Sequence, residues 1–483
     1  MNLLVVQRIL GILLMLFSIT MLPPIGVSLH FHDGNSVPFI DAFIGLLVVG
    51  LLVWLPVRKQ NRELRLRDGF LVVALFWVVL GLAGAVPLVL SDSPDISLTD
   101  AVFEAVSGFT TTGATILIGL DEMPRSLLYY RHQIQWLGGI GMVVLAVALL
   151  PMLGIGGMQL LRAETPGPVK DAKLTPRITE TAKALWLVYV LITAGCAGSY
   201  WLAGMTPFDA IGHAFSTVST GGFSSHDANL AYFNSPGIEF IAILFMFLGG
   251  INFSLHFLAW RRLTISDYFR DPEFRVYVGI MLAATVLIAG TLVARQTFHN
   301  DGFAVRSAML HVVSMMTSTG FTANDFSVWP GALPVMLILI TFAGGCAGST
   351  AGGMKVIRWA LMWKQGTREI NRLVHPSATF PVKIGGRPVP WRVLDAVWGF
   401  FAIYVVCFAV LMVLLIATGE NQITAFSAIA TSMNNTGPGL DKVAANFTTI
   451  SSEGKWICVL AMLLGRLEVY PLIVLVTPAF WRR

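Results

Sequence analysis

Long apolar stretches recur along this chain of 483 residues. The first two lie near residues 5–29 and 38–56, and each approaches the roughly 20 residues that a helix needs to cross a hydrocarbon core about 30 Å thick. The first ends in MLPPIG without an obvious small-residue cleavage site, which favours a retained helix over a cleaved signal peptide. The pattern predicts a polytopic helical membrane protein.

A fourfold repeat follows these two helices. Each unit has a long apolar segment, a short one of 11 to 13 residues, a polar loop with glycine, and a second long apolar segment. A helix of the short length reaches at most about 20 Å, too little to cross the membrane. The short segments are therefore predicted to be re-entrant half-helices: TDAVFEAVSGF (99–109), FDAIGHAFSTV (208–218), VRSAMLHVVSMM (305–316) and NQITAFSAIATSM (421–433).

The loops after the half-helices share a Thr-Gly dipeptide. It occurs in TTTGAT, VSTGGF, TSTGFT and NNTGPG, at Thr112-Gly113, Thr220-Gly221, Thr319-Gly320 and Thr436-Gly437. Thr-Gly also occurs in ordinary turns, but four copies between a half-helix and a spanning helix favour one shared role. The candidate cation-binding residues are Thr111, Thr112, Gly113, Thr220, Gly221, Ser318, Thr319, Gly320, Asn435, Thr436 and Gly437.

These loops have a composition suited to a cation filter. Irregular backbone at membrane depth is tolerated only when it is buried in protein or lines a wet cavity, so four loops suggest four walls of one pore. In potassium channels, backbone carbonyls replace the hydration shell of the ion. Carbonyls that face one axis need alternating backbone hand, and glycine adopts positive φ without a Cβ penalty. The half-helix C-termini add partial negative charge, so a dehydrated monovalent cation is the expected ligand.

The predicted fold class is an all-α polytopic membrane protein. Two N-terminal helices precede four helix–half-helix–helix repeats around a pseudo-fourfold pore, giving about ten transmembrane helices and four half-helices. The predicted units are residues 1–68 for the two additional helices, then 69–162, 163–263, 264–365 and 366–483 for repeats 1 to 4.

A glycine-rich segment interrupts the apolar stretch at residues 332–363. As one helix its 32 residues would measure about 48 Å, so it is expected to break or to leave the membrane. A flexible intramembrane loop beneath the third filter loop is predicted to obstruct the pore; the alternative is glycine-mediated helix packing. The residues concerned are Gly344, Gly345, Gly348, Ser349, Thr350, Gly352 and Gly353.

Two basic residues complete the candidate gate. Arg466 lies about ten residues into the last apolar segment, where a charge is costly and by default functional. The alternative is a structural contact to Glu468 or to a backbone carbonyl. Lys355 ends the glycine-rich segment and is expected either to anchor it near the inner mouth or to snorkel to the interface.

Other polar residues near the loops favour plainer interpretations. Glu104, His213 and His311 lie on the half-helices and are expected to make structural hydrogen bonds. The acidic residues after the loops can attract cations, although a solvated surface role is favoured for each: Asp121, Glu122, Asp227 and Asp325.

Composition and charge support a membrane protein and exclude a nucleic-acid partner. The chain is 55% hydrophobic and only 12% charged, against about 25% in soluble proteins. Its net charge is +5, and 25 of its 32 basic residues lie in segments on one side if the apolar stretches alternate across the bilayer. This is the positive-inside bias, which predicts cytoplasmic termini. The four cysteines are scattered, so neither a disulfide framework nor a zinc site is indicated.

Several motifs carry a resemblance to a known family. The four loops that each retain one filter glycine resemble the Trk/Ktr/HKT superfamily of cation transporters. The segments GFTTTGAT, RAETPGPVKD, GGCAGSTAGGMKVIRW, RLVHPSA and GRLEVYPLIVLVTPAFW resemble the TrkH/TrkG type membrane subunit of bacterial potassium uptake systems. The resemblance covers nearly the whole chain. In the family, serine in place of the first filter glycine accompanies sodium transport, so Gly113 implies a preference for K⁺.

The resemblance also implies a mechanism and partners. It implies a gating role for the glycine-rich segment and a pore-blocking role for Arg466. It implies a homodimer in the bacterial inner membrane, beneath a cytoplasmic nucleotide-binding regulatory protein of the TrkA type. This chain itself lacks GxGxxG and P-loop motifs, so nucleotide binding is assigned to the partner.

Three classes of function remain to be weighed. A potassium-conducting uptake protein is the leading hypothesis, and a Na⁺- or H⁺-coupled potassium symporter using the same site is the alternative. Symporters usually place acidic relays within the membrane, and the long apolar segments contain few acidic residues. A membrane enzyme is disfavoured because the chain has neither HExxH nor GxSxG.

Overall fold

The computed structural model describes residues 2–60, 66–148 and 178–482. Within these ranges the fold is helical apart from one short antiparallel hairpin, Lys383–Ile384 with Arg387–Pro388. Six helices in the described ranges are long and apolar enough to cross a membrane, or eight spans if two sharply bent pairs are added. The fold is therefore an all-α polytopic membrane fold, as predicted. The second helices of repeats 1 and 3 would raise the number to ten, but the former is rich in polar residues and the latter is broken.

The two N-terminal spans pack closely against each other and against repeat 1. Leu3–Ile19 and Leu22–Phe31 form the first span, and Ser36–Trp54 forms the second. A Cβ on Gly11 would lie 2.8 Å from the Cβ of Trp54, so small residues allow the close approach. Because these spans add no residue to the four loops, they act as a flank of the repeat assembly.

The four repeats follow the predicted order. Each has a first helix, a half-helix and a second helix, and three of the second helices are interrupted. The first helices are Leu66–Gly84 with Val86–Leu90, Ile178–Leu202, Pro272–Ala294 and Trp391–Ala417. The second helices are Arg125–Ala148, Pro236–Gly249 with Phe253–Arg262, Leu333–Thr341 with Val356–Val374, and Ser452–Arg466 with Tyr470–Val476. Short helical turns occur at Leu55–Val57, Leu120–Glu122, Asn229–Phe233, Ser266–Arg270, Phe326–Val328, Asp441–Val443 and Pro478–Trp481.

The half-helices begin at capping residues. The Ser97 hydroxyl accepts from Asp100 N at 3.1 Å, and the same geometry holds at Thr206; such a side chain satisfies a free amide of the first turn. The half-helices are Leu98–Phe109, Pro207–Val218, Asp301–Met316 and Gln422–Met433. The third begins four residues earlier than predicted, because Asn300 caps it by accepting from Gly302 N at 2.8 Å.

Two buried apolar cores position the repeats. One joins the N-terminal helices with repeats 1 and 4, and the other forms mainly within repeats 2 and 3. The predicted boundary at residues 162 and 163, like the whole RAETPGPVKD motif, lies outside the described residues. The other repeat boundaries remain predictions.

Candidate cation filter and gate

The four loops meet in a closed ring. We number them by repeat, as loop 1 (110–114), loop 2 (219–223), loop 3 (317–321) and loop 4 (434–438). One glycine of each loop faces a carbonyl oxygen of the next loop. A Cβ built on Gly113 would collide with Gly221 O, and one built on Gly222 would collide with Thr319 O. Likewise, a Cβ on Gly320 would collide with Thr436 O, and a Cβ on Gly437 would lie 2.9 Å from Thr112 O. Loop 4 thus closes on loop 1, and a carbonyl oxygen of each loop lies against a glycine of its neighbour.

This geometry corrects the alignment of loop 2. The glycines in the left-handed region are Gly113, Gly222, Gly320 and Gly437, with φ of 79°, 79°, 80° and 90°. Gly222 is therefore the equivalent of Gly113, and Gly221 takes the place of Thr112. The backbone bonds agree, because Gly221 N donates to Ser216 O as Thr112 N donates to Ser107 O, both at 2.8 Å. The prediction from the shared Thr-Gly dipeptide was wrong by one residue here, because loop 2 has two consecutive glycines.

The backbone of every loop alternates in hand. The residue two positions before each of these glycines is also left-handed, at Thr111, Thr220, Ser318 and Asn435, with φ between 53° and 55°. The intervening residue does not adopt positive φ. Alternation of this kind can direct successive carbonyls towards one axis, the arrangement that replaces water around a dehydrated cation.

A cavity of about 480 Å³ adjoins the ring and is lined by residues from all four loops. The acidic side chains near it are largely engaged with backbone amides. Asp227 accepts from Gly119 N and Leu120 N at 3.0 and 3.1 Å, and Asp325 accepts from Ser327 N at 2.8 Å. These contacts order the walls of the cavity and leave carboxylate charge near its surface.

His226 also lines this cavity, between two carboxylates. Its Nδ1 bonds Asp121, its Nε2 lies 3.4 Å from Asp209, and its ring stacks on Tyr232. Burial alone would lower the pKa of His226, but the hydrogen bonds to Asp209 and Asp121 outweigh it and hold the pKa above its ordinary value. The imidazole thus joins the segments that follow loops 1 and 2.

The glycine-rich segment, residues 342–355, lies directly against the ring. Thr350 Oγ1 lies 3.0 Å from Val218 O and 3.1 Å from Gly249 O and shares its proton between them, and Gly352 N donates to Ser318 Oγ at 2.5 Å. The segment therefore contacts loop 3, beneath which it was expected to lie, and also repeat 2.

The glycines of this segment have conformational and steric roles. The apolar stretch breaks as predicted, since one helix ends at Thr341 and the next begins at Val356. Gly344, Gly348 and Gly353 have φ of 68°, 73° and 77°, and a Cβ on Gly352 would collide with Asn434 O. All five candidate glycines lie outside helices, so the alternative of glycine-mediated helix packing is wrong.

Arg466 connects the glycine-rich segment to repeat 1. Its Nη1 donates to Thr350 O at 3.0 Å and its Nη2 to Gly138 O at 3.1 Å, and the residue is 2% exposed. It ends its helix instead of lying within a continuous one, because the helix bends by 113° between Arg466 and Tyr470. Of the two structural alternatives, the backbone-carbonyl contact is the one observed.

Glu468 is paired with another arginine. Its Oε2 lies 2.5 Å from Arg358 Nη2, and Arg358 belongs to the first turn of the helix that leaves the glycine-rich segment. Lys355 is 2% exposed, and its Nζ donates to Ala351 O within the segment. The snorkelling interpretation of Lys355 is therefore wrong.

Arg131 was missed by the sequence reasoning. It forms a fully buried ion pair with Glu104 at 2.7 Å, and its Nη1 donates to Ser224 O at 3.1 Å. His213 and His311 make hydrogen bonds beside their loops, as expected. The sequence signal that could have identified Arg131 is the polar run RHQIQ in an otherwise apolar segment, because a charge in such a segment usually has a partner.

The family model described as TrkH, cation transport protein, matches residues 35–483. The chain belongs to the TrkH family. Two curated relatives bear the name Trk system potassium uptake protein TrkH. The one from Vibrio parahaemolyticus is 52% identical, covering 98% of both chains. The one from Halomonas elongata is 53% identical over the full length of both.

A solved structure supports the same assignment for this TrkH-family chain. The crystal structure of the potassium transporter TrkH from Vibrio parahaemolyticus matches with a TM-score of 0.93 and 48% identity, covering 100% of both chains. The names of these relatives are those of transporters. Fold and family are therefore shared over the whole chain, including all four loops.

Proposed function

We propose that this TrkH-family protein takes up potassium across the bacterial inner membrane through a filter formed by loops 1 to 4. The observation that carries the proposal is the closed ring, in which each loop glycine allows the next loop's carbonyl to approach the axis. Carbonyl oxygens in such a ring can replace the water of a dehydrated monovalent cation. K⁺ is the transported ion, and the names of the relatives support that choice.

The proposed filter has three residues from each loop. Gly222 joins the candidates because it has the φ and the contacts of Gly113. The full set is Thr111, Thr112, Gly113, Thr220, Gly221, Gly222, Ser318, Thr319, Gly320, Asn435, Thr436 and Gly437.

The proposed gate is the glycine-rich segment together with Arg466. The segment contacts loops 2 and 3 and the end of half-helix 4, so it can obstruct one side of the ring. Arg466 bonds this segment to the second helix of repeat 1 and brings a positive charge beside the path. Lys355 stabilises the segment from within.

The proposed setting is a multi-pass protein in the lipid bilayer with both termini in the cytoplasm. The basic segment 364–392 is then cytoplasmic, in line with the positive-inside bias. The helix that leads into this segment, Val356–Val374, has exposed apolar side chains, since Trp363 is 79% and Leu373 83% exposed. Such a surface suits a second copy of the chain or a TrkA-type nucleotide-binding regulator, both of which we propose as partners.

The test is cation flux in proteoliposomes with K⁺, Rb⁺ and Na⁺. We expect the wild type to pass K⁺ and Rb⁺ in preference to Na⁺, and Gly113→Ser to lose that preference. Gly198→Ser is a matched control, because a Cβ at Gly198 meets nothing within 4 Å and this residue lies in the first helix of repeat 2. Equal permeability to all three ions in the wild type would refute the selective filter.

The same vesicles test the symporter alternative. Flux driven by a K⁺ gradient alone supports a channel-like mechanism, whereas an absolute requirement for a Na⁺ or H⁺ gradient supports symport. Several glutamates are paired with arginines, an arrangement that favours structural roles over proton relays. The pairs are Glu104 with Arg131, Glu239 with Arg306 and Glu468 with Arg358.

A further inference from the structure

Loop 2 differs from the other loops at one position of the carbonyl ring. Loops 1, 3 and 4 have threonine there, at Thr112, Thr319 and Thr436, and loop 2 has Gly221. The hydroxyl of Thr112 bonds that of Thr110 at 2.8 Å, and Thr319 bonds Thr317 in the same way. Gly221 has no side chain to make such a bond within its own loop.

A side chain from the preceding repeat fills this space. Gln135, in the second helix of repeat 1, is fully buried, and a Cβ built on Gly221 would lie 2.5 Å from its Cδ. Gln135 Nε2 donates to Gly221 O at 2.7 Å, and its Oε1 accepts from Phe223 N at 3.1 Å. The amide therefore holds the backbone on both sides of Gly222. The two bonds also fix its orientation, because only the nitrogen can donate to a carbonyl.

Arg131 reinforces the same attachment one helical turn earlier. Its Nη1 donates to Ser224 O, and its guanidinium lies over the Phe223 ring at 4.2 Å. Glu104 neutralises this charge and accepts from Ile116 N at 3.0 Å, so the pair also contacts the segment after loop 1. Gln135 is thus one of a row of polar side chains that repeat 1 directs at loop 2.

We propose that Gln135 is a specificity-determining positioning residue of the filter, which replaces the missing threonine of loop 2 and fixes the Gly221 carbonyl in the ring. The inference rests on the proposed function. A carbonyl has two lone pairs, so Gly221 O can accept from Gln135 and still face the axis. Selectivity in such a ring depends on the number and field strength of its carbonyls, and a released Gly221 O would discriminate less between ions.

The test is the K⁺/Na⁺ permeability ratio of Gln135→Leu in proteoliposomes. Gln135→Leu removes both hydrogen bonds to the loop 2 backbone. We expect the K⁺/Na⁺ permeability ratio to fall by about fivefold or more, since fivefold corresponds to about 1 kcal/mol, the typical contribution of one hydrogen bond. Gln133→Leu is the matched control, since Gln133 lies on the same helix, is 6% exposed and donates its amide to Thr20 O at 2.8 Å. We expect Gln133→Leu to keep the wild-type ratio.

A compensating pair of substitutions separates positioning from general destabilisation. Gly221 does not have positive φ, and the three atoms nearest a Cβ built there all belong to Gln135, so shortening Gln135 removes the collision that a threonine at this position would meet first. We expect Gln135→Ala to lower the ratio, Gly221→Thr alone to lower it by collision, and the double variant to recover selectivity.

Two results would overturn the inference. One is an unchanged ratio in folded Gln135→Leu, and the other is an equal fall in Gln133→Leu. If Gln135→Leu does not fold, a double variant no more selective than Gln135→Ala overturns it instead. These failures differ from failure of the proposed function, which would appear as a non-selective wild type or as a Gly113→Ser variant with wild-type selectivity.

Discussion

Replacement of Arg466 by alanine tests the proposed gate most directly. The side chain donates to Thr350 O at 3.0 Å and to Gly138 O at 3.1 Å. Hydrogen bonds from charged groups contribute about 1.5–3 kcal/mol each, and the bond to Thr350 holds the segment that we propose to obstruct the pore. If the substitution removes about 1.5 kcal/mol of stabilisation from the closed state and none from the open state, the equilibrium between them shifts towards the open state about tenfold. Glu468 keeps its partner Arg358 in this variant, so no buried carboxylate loses its ion pair.

The assay is basal Rb⁺ flux into K⁺-loaded proteoliposomes at matched protein density. We expect Arg466→Ala to raise flux about tenfold and Arg466→Lys to raise it less, because lysine keeps the charge but lacks the planar two-ended donor. Arg295→Ala is the control, since Arg295 is exposed at the end of the first helix of repeat 3. Unchanged flux in a correctly folded Arg466→Ala would refute the reasoning.

Three further predictions follow from other contacts. Gly222→Ala should abolish K⁺ flux, because alanine strains at φ 79° and its Cβ meets Thr319 O, whereas Gly279→Ala in open helix surface should leave flux intact. Protonated His226 stabilises the fold at pH values below the ordinary histidine pKa, and this contribution is lost as pH rises through the raised pKa. Between pH 6 and pH 9, the melting temperature of the wild type should therefore fall more than that of His226→Gln. Arg358→Glu and Glu468→Arg should each raise basal flux, and the double variant that combines them should lower it again, because it restores an ion pair; additive effects would contradict coupling through that pair.

Hydrophobic patterning was sufficient to predict the fold because membrane spans and half-helices differ in length. The half-helices 98–109 and 207–218 match the prediction to within one residue, since a capping serine or threonine precedes each. The start of the third was missed because Asp301 and Gly302 interrupt the apolar pattern although Asn300 caps the helix. Local sequence therefore fixed element type better than element boundaries.

The site was predicted less completely, because its decisive contacts join distant residues. The Thr-Gly dipeptide identified the four loops, but only backbone φ distinguishes Gly221 from Gly222 as the equivalent of Gly113. Arg466 was recognised from its charge, whereas its partners Thr350 and Gly138 lie 116 and 328 positions away. A charge in an apolar segment predicts that a partner exists, and the fold alone decides which one.

The repeats also show where symmetry is broken. Gly138, Gly249 and Gly465 occupy one position in their second helices, since a Cβ on each would approach the last carbonyl of its own half-helix. The next residue is Gly139 in repeat 1 and Gly250 in repeat 2, but Arg466 in repeat 4. Four similar loops suffice to surround a cation, and a symmetric ring would have the same residue at this position in every repeat. The symmetry of the ring therefore does not explain why repeat 4 has a buried arginine where repeats 1 and 2 have glycine. The departures at Arg466 and at Gly221 and Gln135 fit the two proposed roles that only one repeat performs, which are closing the path in repeat 4 and positioning one carbonyl in loop 2.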